Sequence, residues 1–265
     1  MNNMKRFNIL LVMSAFIGSF TSCSQDAENE LVPSAKVVNF DVNISKTRTV
    51  TEGKVTSFVE DDQIGVFGVK RGASEVLNQN VMYAYTGNGK WLADKSITYP
   101  LDNSPINFYA YYPYQRSASD PAAINFSVNL NQTSEEIVGG SDLLRAANTR
   151  GLTEGDVELQ FEHMFSLLEI KLTGDILPDP PVKLTANEIV TSVLLDLGTG
   201  NLSPVATGKV LSCCVDSMQM LYRMILPSQD VEEGTAFLSC ESGDITYMYR
   251  SPGITLEDRK STRLN

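Results

Sequence analysis

Apolar residues recur at every second position in many short runs of this chain, and turn-forming residues separate the runs. In one run, Val38, Phe40, Val42 and Ile44 alternate with asparagine and aspartate. Residues two apart share one face of a β-strand, so each run has one face to bury. Two facing sheets bury such faces against each other. The pattern therefore predicts an all-β fold built from β-sandwich domains. The other clear runs lie at residues 64–69, 106–114, 123–130 and 157–161.

Three local signals refine this pattern. Asn88-Gly89, between two apolar runs, supplies the positive φ angles of a tight turn and predicts a β-hairpin. The apolar parity changes within residues 163–166, which predicts a bulge or break in the strand there. Residues 141–147 suggest a short helix, because a serine and an aspartate at their start could cap it.

A proline-rich stretch divides the chain. Residues 174–183 contain three prolines, and they predict a connector because proline donates no hydrogen bond to a sheet. We therefore expect an N-terminal β-sandwich at residues 36–173 and a C-terminal β domain at residues 184–265. The last residues, 257–265, are charged and do not alternate. We expect from this that the C-terminal domain is truncated.

The N-terminus has the features of an export signal. Lys5 and Arg6 precede twelve mostly apolar residues at 9–20, fewer than the about 20 that cross a bilayer. Cys23 follows in a small-residue site that resembles a bacterial lipobox. We therefore expect residues 1–22 to be a lipoprotein signal peptide and Cys23 to be acylated. An ordinary signal peptide with a chance cysteine stays open as the alternative.

The segment after the signal and the overall charge bear on partners. Residues 23–35 begin with a polar, acidic stretch and are expected to form a flexible tether. An acylated Cys23 would make outer-membrane lipid a partner and the protein an outer-membrane lipoprotein. The net charge is −11, from 21 basic and 32 acidic residues, and the basic residues do not cluster. Nucleic acid is not an expected partner, because binding a phosphate backbone needs a basic stripe.

Residues that could carry catalysis are scarce. His163 is the only histidine, which excludes a multi-histidine metal site. The sequence contains neither a Gly-x-Ser-x-Gly nor a His-Glu-x-x-His motif. The acidic segment at 60–62 could contribute to a cation site or a carboxylate pair, but a run of acids at a turn before a strand is usually a solvated face. The segment at 196–201 has oxygen ligands without the spacing of a calcium loop, so turn chemistry is the preferred interpretation there. We therefore expect no enzyme activity, no cofactor and no metal site.

Three cysteines remain after export. Cys213, Cys214 and Cys240 would then lie in an oxidising compartment, where a disulfide is allowed. Adjacent cysteines bridge each other only with strain, so one interpretation pairs Cys240 with one of the other two. Three buried thiols on strands are the other interpretation, and both stay open.

Several segments occur together in the order found in one known family. They are the signal with Cys23, Thr47-Arg48-Thr49, and residues 62–67, 99–100, 107–114, 141–144 and 157–164. This set resembles the fimbrillin family, the lipoprotein-derived fimbrial subunits and adhesins of Gram-negative anaerobes. The resemblance implies two transthyretin-like β-sandwich domains and a fimbrial or adhesive role at the cell surface, with no catalytic residues. It also implies assembly with other fimbrial subunits by β-strand exchange.

The resemblance further implies a maturation site. In members that polymerise, an arginine-specific protease cuts the loop after the first strand, and Arg48 lies where this loop is expected. Lys46 is the poorer candidate, and an ordinary turn residue at Arg48 stays open. A second function also stays open: a monomeric surface lipoprotein that binds glycans through Trp91 and the tyrosines at 109–114. In either case a host or bacterial surface could supply a further ligand.

Overall fold

The computed structural model describes residues 35–45, 57–173, 182–257 and 261–264 of the chain. These residues form β-strands and one short α-helix, which confirms the predicted all-β fold. The elements of the first part are β1 Phe40–Ile44, β2 Gln63–Lys70, β3 Val76–Tyr85, β4 Trp91–Leu92, β5 Ile106–Tyr112, β6 Ile124–Ser127, α1 Glu135–Gly139, β7 Leu144–Leu152, β8 Val157–His163 and β9 Phe165–Lys171. Those of the second part are β10 Lys183–Leu195, β11 Leu202–Leu211, β12 Cys213–Asp216, β13 Leu221–Pro227, β14 Gln229–Val231, β15 Leu238–Ser242, β16 Ile245–Tyr249, β17 Ile254–Leu256 and β18 Ser261–Leu264.

The largest sheet has seven strands in the order β1-β8-β7-β5-β2-β3-β4. Two adjacent strands near its centre, β2 and β5, are buried or half-buried on both faces along most of their length. This explains the continuous apolar run in β2. Val66 packs with Phe108 in an apolar cluster on one side, whereas its neighbour Phe67 packs with Tyr111 in a second cluster. Only glycine fits at position 65, because a Cβ there would lie 2.3 Å from Cε1 of the Tyr111 side chain.

The other described strands form three smaller sheets, which pack around the second apolar cluster. Their orders are β11-β10-β15-β16, with β6 beside β10, then β12-β13-β9-β18, and β14-β17. The buried Gln132 completes one of them. Its Nε2 donates to the carbonyl of Ile225 at 2.8 Å, and its Oε1 accepts from the amide of Ile225 at 2.8 Å. The side-chain amide thus replaces a neighbouring strand at this position of β13.

The predicted hairpin is confirmed. β3 and β4 are antiparallel, with Ala84 opposite Leu92 and Tyr85 opposite Trp91. The positive φ angles of the loop lie at two glycines, Gly87 and Gly89, rather than at the asparagine between them.

The predicted break in the strand is also confirmed. β8 ends at His163 and β9 begins at Phe165, and between them the amide of Met164 donates to the carbonyl of Leu143 at 2.8 Å. β8 belongs to the seven-stranded sheet, whereas β9 pairs with β13. The apolar parity changes here because the chain leaves one sheet and enters another.

The predicted helix at residues 141–147 is wrong. The helix lies earlier, at Glu135–Gly139, with Ser134 as its N-cap. β7 begins at Leu144, because this stretch pairs with Tyr112 on one side and His163 on the other. In the described part of the chain, no helix is both long enough and apolar enough to cross a membrane.

The predicted connector lies mostly outside the described residues, which stop at Thr173 and resume at Val182. The connector does not separate one sheet from another, because β9 before it pairs with β13 after it. β6 likewise pairs with β10. The division into domains at 36–173 and 184–265 stays a prediction.

Candidate functional site

The strand β1 lies at one edge of the seven-stranded sheet and is the first candidate site. β1 runs parallel to β8 along its whole length, from Phe40 opposite Val157 to Ile44 opposite Phe161. Just before β1, the amide of Val38 donates to the carbonyl of Ile97 at 2.9 Å. The segment at 36–44 therefore satisfies backbone groups of two different parts of the chain.

The inward face of this segment is apolar, as the alternation predicted. Val38 is buried, and Phe40, Val42 and Ile44 pack half-buried against the first apolar cluster. The ring of Phe40 meets two rings edge to face: Tyr83 with ring centroids 5.0 Å apart, and Phe108 at 5.5 Å. Removing β1 would leave an apolar groove with these rings in its floor.

Polar contacts on the outer side of the segment are exposed. Lys36 forms an ion pair with Glu154, and this contact lowers the pKa of the Glu154 carboxyl. Asn39 donates from Nδ2 to Oδ1 of Asp156 at 3.0 Å. Solvent screens such contacts, so they contribute little. The backbone pairing and the apolar side chains therefore supply most of the free energy that keeps β1 on the sheet.

The predicted modification sites lie outside the described residues. Cys23 precedes them, and Arg48 falls in the stretch between Ser45 and Ser57. Ser45 still belongs to the sheet, since its amide donates to the carbonyl of Phe161 at 2.7 Å. Acylation of Cys23 and cleavage at Arg48 stay predictions.

The only histidine lies at the end of β8. Nδ1 of His163 is 2.6 Å from Oδ2 of Asp142, and the two side chains are only 15% and 14% exposed. Burial opposes the charged imidazole, but the hydrogen bond and the charge of Asp142 outweigh it and raise the pKa of His163. Nearby, the hydroxyl of Tyr112 donates to Oδ1 of Asp62 at 3.0 Å. These contacts tie loops to strand ends and suit a structural role.

The aromatic residues expected to bind glycans are largely packed. Trp91 meets Phe58 edge to face with ring centroids 4.9 Å apart, and it meets Tyr85 in a tilted arrangement at 5.1 Å. Tyr111 is fully buried. The exposed tyrosines are instead Tyr247 and Tyr249 on β16. The sequence pattern predicts a strand at residues 244–250, but it did not indicate these tyrosines as a binding surface.

The acidic segments behave as turns. Oδ2 of Asp62 accepts from the amide of Val59 at 2.8 Å, and Oδ1 of Asp196 accepts from the amide of Gly198 at 2.7 Å. Across the described residues, no group of three or more histidine, cysteine, aspartate or glutamate side chains is placed to hold a metal ion.

Cys213 and Cys214 lie on β12 and Cys240 lies on β15, as the interpretation of thiols on strands expects. No disulfide joins Cys214 to Cys240 in the described part of the chain. Burial, together with the charge of Glu241, raises the pKa of the Cys240 thiol. Cys213 and Cys240 are buried as that interpretation expects, whereas Cys214 is half-buried.

Solved structures with this fold include two from Bacteroides species. A candidate cell adhesion protein from Bacteroides ovatus superposes with a TM-score of 0.64 at 19% identity, covering 85% of this chain and 90% of the other. A second candidate cell adhesion protein, from Bacteroides uniformis, gives a TM-score of 0.55 at 20% identity, covering 72% of this chain and 78% of the other. At such identities the likeness concerns the fold alone.

The sequence defines the family. The sequence profile of the fimbrillin-like family matches residues 47–265. The chain therefore belongs to the fimbrillin-like family, which confirms the resemblance found in the sequence.

Curated relatives have fimbrial names. A predicted fimbrium tip subunit, Fim1C of Bacteroides ovatus, is 30% identical over 192 residues, which are 64% of this chain and 36% of the relative. A predicted fimbrium subunit, Fim1C of Bacteroides uniformis, is 28% identical over 198 residues, covering 70% of this chain and 63% of the relative. The fimbrium subunit Fim1C of Phocaeicola vulgatus is 22% identical over 227 residues, covering 74% and 58%. This chain spans between 36% and 63% of the length of these relatives.

Proposed function

We propose that this protein is a fimbrial subunit, or a fimbria-associated adhesion protein of the cell surface, that assembles by β-strand exchange. The observation that carries the proposal is β1, a terminal strand that closes a large sheet and covers an apolar groove. The names of the relatives support a fimbrial role. The role is structural rather than catalytic.

The exchange begins with cleavage after Arg48, in the stretch between β1 and β2. A cut there leaves β1 held mainly by its backbone pairing and by its inward side chains. Once β1 leaves, the edge of β8 and the rings of Tyr83 and Phe108 are uncovered. Unpaired backbone groups and apolar surface favour rapid uptake of another strand. A strand of another fimbrial subunit, with the same alternation as β1, fills the groove.

Acylation of Cys23 supplies the membrane anchor before cleavage. Cys23 precedes β1 in the chain, so cutting after Arg48 removes lipid and first strand together. The uncut protein is thus an outer-membrane lipoprotein, and the cut protein can join a fimbrium. A chain that stays uncut would serve as an anchor or as an adhesin that does not polymerise.

N-terminal sequencing of protein from purified fimbriae tests this route. The expected mature end is Thr49. Arg48→Ala should block polymerisation, whereas Lys46→Ala, two residues away, should not. An intact acylated Cys23 throughout polymerised material would refute strand exchange at β1. Polymerisation of the Arg48→Ala variant with a new end elsewhere would refute only the choice of cleavage residue.

A further inference from the structure

The outer strand β16 lies in a different sheet from β1 and has an unusual surface. Within the described residues it pairs with β15 on one side only. All five of its residues are exposed, including Ile245 at 57%, Met248 at 51%, and Tyr247 and Tyr249 at 39% each. The strand contains no charge and no proline. Edge strands of monomeric proteins are normally protected by such residues, because their open backbone groups invite pairing.

One face of β16 continues the protein core. In the register with β15, Tyr247 lies opposite Cys240 and Tyr249 opposite Leu238, and both partners are buried. Cross-strand partners share a face, so the two tyrosines and Ile245 lie on the core side of the sheet. Beneath the two tyrosines is a groove of about 250 Å³, lined also by Ile170, Leu172, Leu184 and Leu238. Among the described residues, the apolar layer thus reaches the edge of the sheet with no strand beyond β16.

The residues that flank β16 make it complementary to itself. Asp244 precedes the strand and Arg250 follows it, and both are exposed. In an antiparallel pair of two such strands centred on Tyr247, Ile245 lies opposite Tyr249 and Asp244 opposite Arg250. Because the arrangement is two-fold symmetric, each charge meets its opposite at both ends.

We propose that β16 pairs with β16 of a second copy of this chain, antiparallel and centred on Tyr247. Open backbone groups of both strands then gain partners, and the sheet continues from one copy into the other. The apolar residues on the core side of the two strands form one strip beside the groove. The charge pattern favours a second copy over an unrelated strand, because in the antiparallel pair Asp244 of each copy lies opposite Arg250 of the other. This contact is independent of the proposed exchange of β1.

Cysteine cross-linking of the full-length chain in its membrane tests the geometry. Opposed residues of an antiparallel pair have Cα atoms about 4.5–5.5 Å apart, within the range of a disulfide. Tyr247→Cys should therefore give a dimer on a non-reducing gel after mild oxidation. This variant and its control carry Cys240→Ser, because Cys240 lies opposite Tyr247 in the same chain and would otherwise bond to the new thiol. Ile245→Cys is the matched control, because four strand positions, about 14 Å, would separate the two copies of this residue. The parent chain reports any cross-linking through the native cysteines.

A mixed pair of variants keeps the test decisive if the Tyr247→Cys chain misfolds, and charge substitutions then test the register. Co-expressed chains with Ile245→Cys and Tyr249→Cys should cross-link to each other, whereas neither should do so alone. Asp244→Lys should lower the dimer yield about fivefold, because two like-charge contacts replace two attractive ones. Adding Arg250→Glu should restore it.

Equal cross-linking of Tyr247→Cys and Ile245→Cys would overturn the proposal. So would absence of a dimer in both the Tyr247→Cys chain and the mixed pair. A cross-linked product that contains a different protein, with no dimer of this chain, would assign the edge to another partner and likewise overturn it.

Discussion

Phe40 is the side chain through which β1 makes its aromatic contacts with the groove, so its truncation should loosen β1 selectively. Phe40→Ala removes both edge-to-face contacts, with Tyr83 and with Phe108. Truncating a fully buried phenylalanine costs about 3–5 kcal/mol. Phe40 is half-buried, so we expect about half of this, ~2 kcal/mol. This corresponds to a roughly 30-fold larger population of chains with β1 open.

Hydrogen exchange measures that opening at a defined amide. The amide of Val157 in β8 donates to the carbonyl of Asn39 at 2.9 Å, so it exchanges when the segment before β1 detaches. Phe40→Ala should accelerate exchange at Val157 about 30-fold. The amide of Ile225, which is bonded to Gln132 far from β1, should change much less.

Asp41→Ala is the matched control, because Asp41 is exposed and adjacent in the same strand. It should leave exchange at Val157 nearly unchanged. If Phe40→Ala and Asp41→Ala accelerate exchange equally, the apolar face does not hold β1. If Phe40→Ala accelerates all amides together, β1 opens only with global unfolding, and the reasoning about a separable strand fails.

Three further perturbations test other parts of the structure. Gln132→Ala should lower the free energy of unfolding in urea by about 2–4 kcal/mol, because it leaves the buried amide and carbonyl of Ile225 unpaired; a loss below that of a typical surface substitution would contradict this. The pKa of His163 is raised above 6.5, so its pair with Asp142 stabilises fully below about pH 6.5 and loses this contribution as the pH rises through the folded-state pKa. Urea unfolding across that range should show the loss in the parent chain and not in His163→Gln, and equal slopes would refute the assignment. Cys23→Ala should release the protein from the membrane fraction, since buried acyl carbons each contribute about 0.8 kcal/mol; unchanged fractionation, with no uptake of labelled palmitate by the parent chain, would refute lipidation.

Short-range patterns predicted much of the fold. The alternation from Val38 to Ile44 identified the inward face of β1, and Asn88-Gly89 located a hairpin. The parity change near residue 164 marked the passage between two sheets. Each of these signals depends on neighbouring residues, so the sequence contains it directly.

Features set by distant contacts were not predictable in this way. The serine and aspartate before β7 looked like a helix cap, but pairing with β5 and β8 outweighed that local preference. Nothing near Phe40 in sequence indicates Tyr83 or Phe108 as its partners. The open edge of β16 likewise depends on which strands lie beside it, and a periodic pattern does not specify pairing.

The parallel pairing of β1 with β8 has a consequence for how the chain folds. Phe40 and Val157 are neighbours in space but 117 positions apart in sequence, from 157 − 40. Contacts between such distant positions raise the contact order and form late, because a long loop must close first. We therefore expect β1 to dock last, after the hairpins of the same sheet. During folding the chain thus passes through a state in which the seven-stranded sheet lacks β1 and the backbone groups of β8 that face it are unpaired.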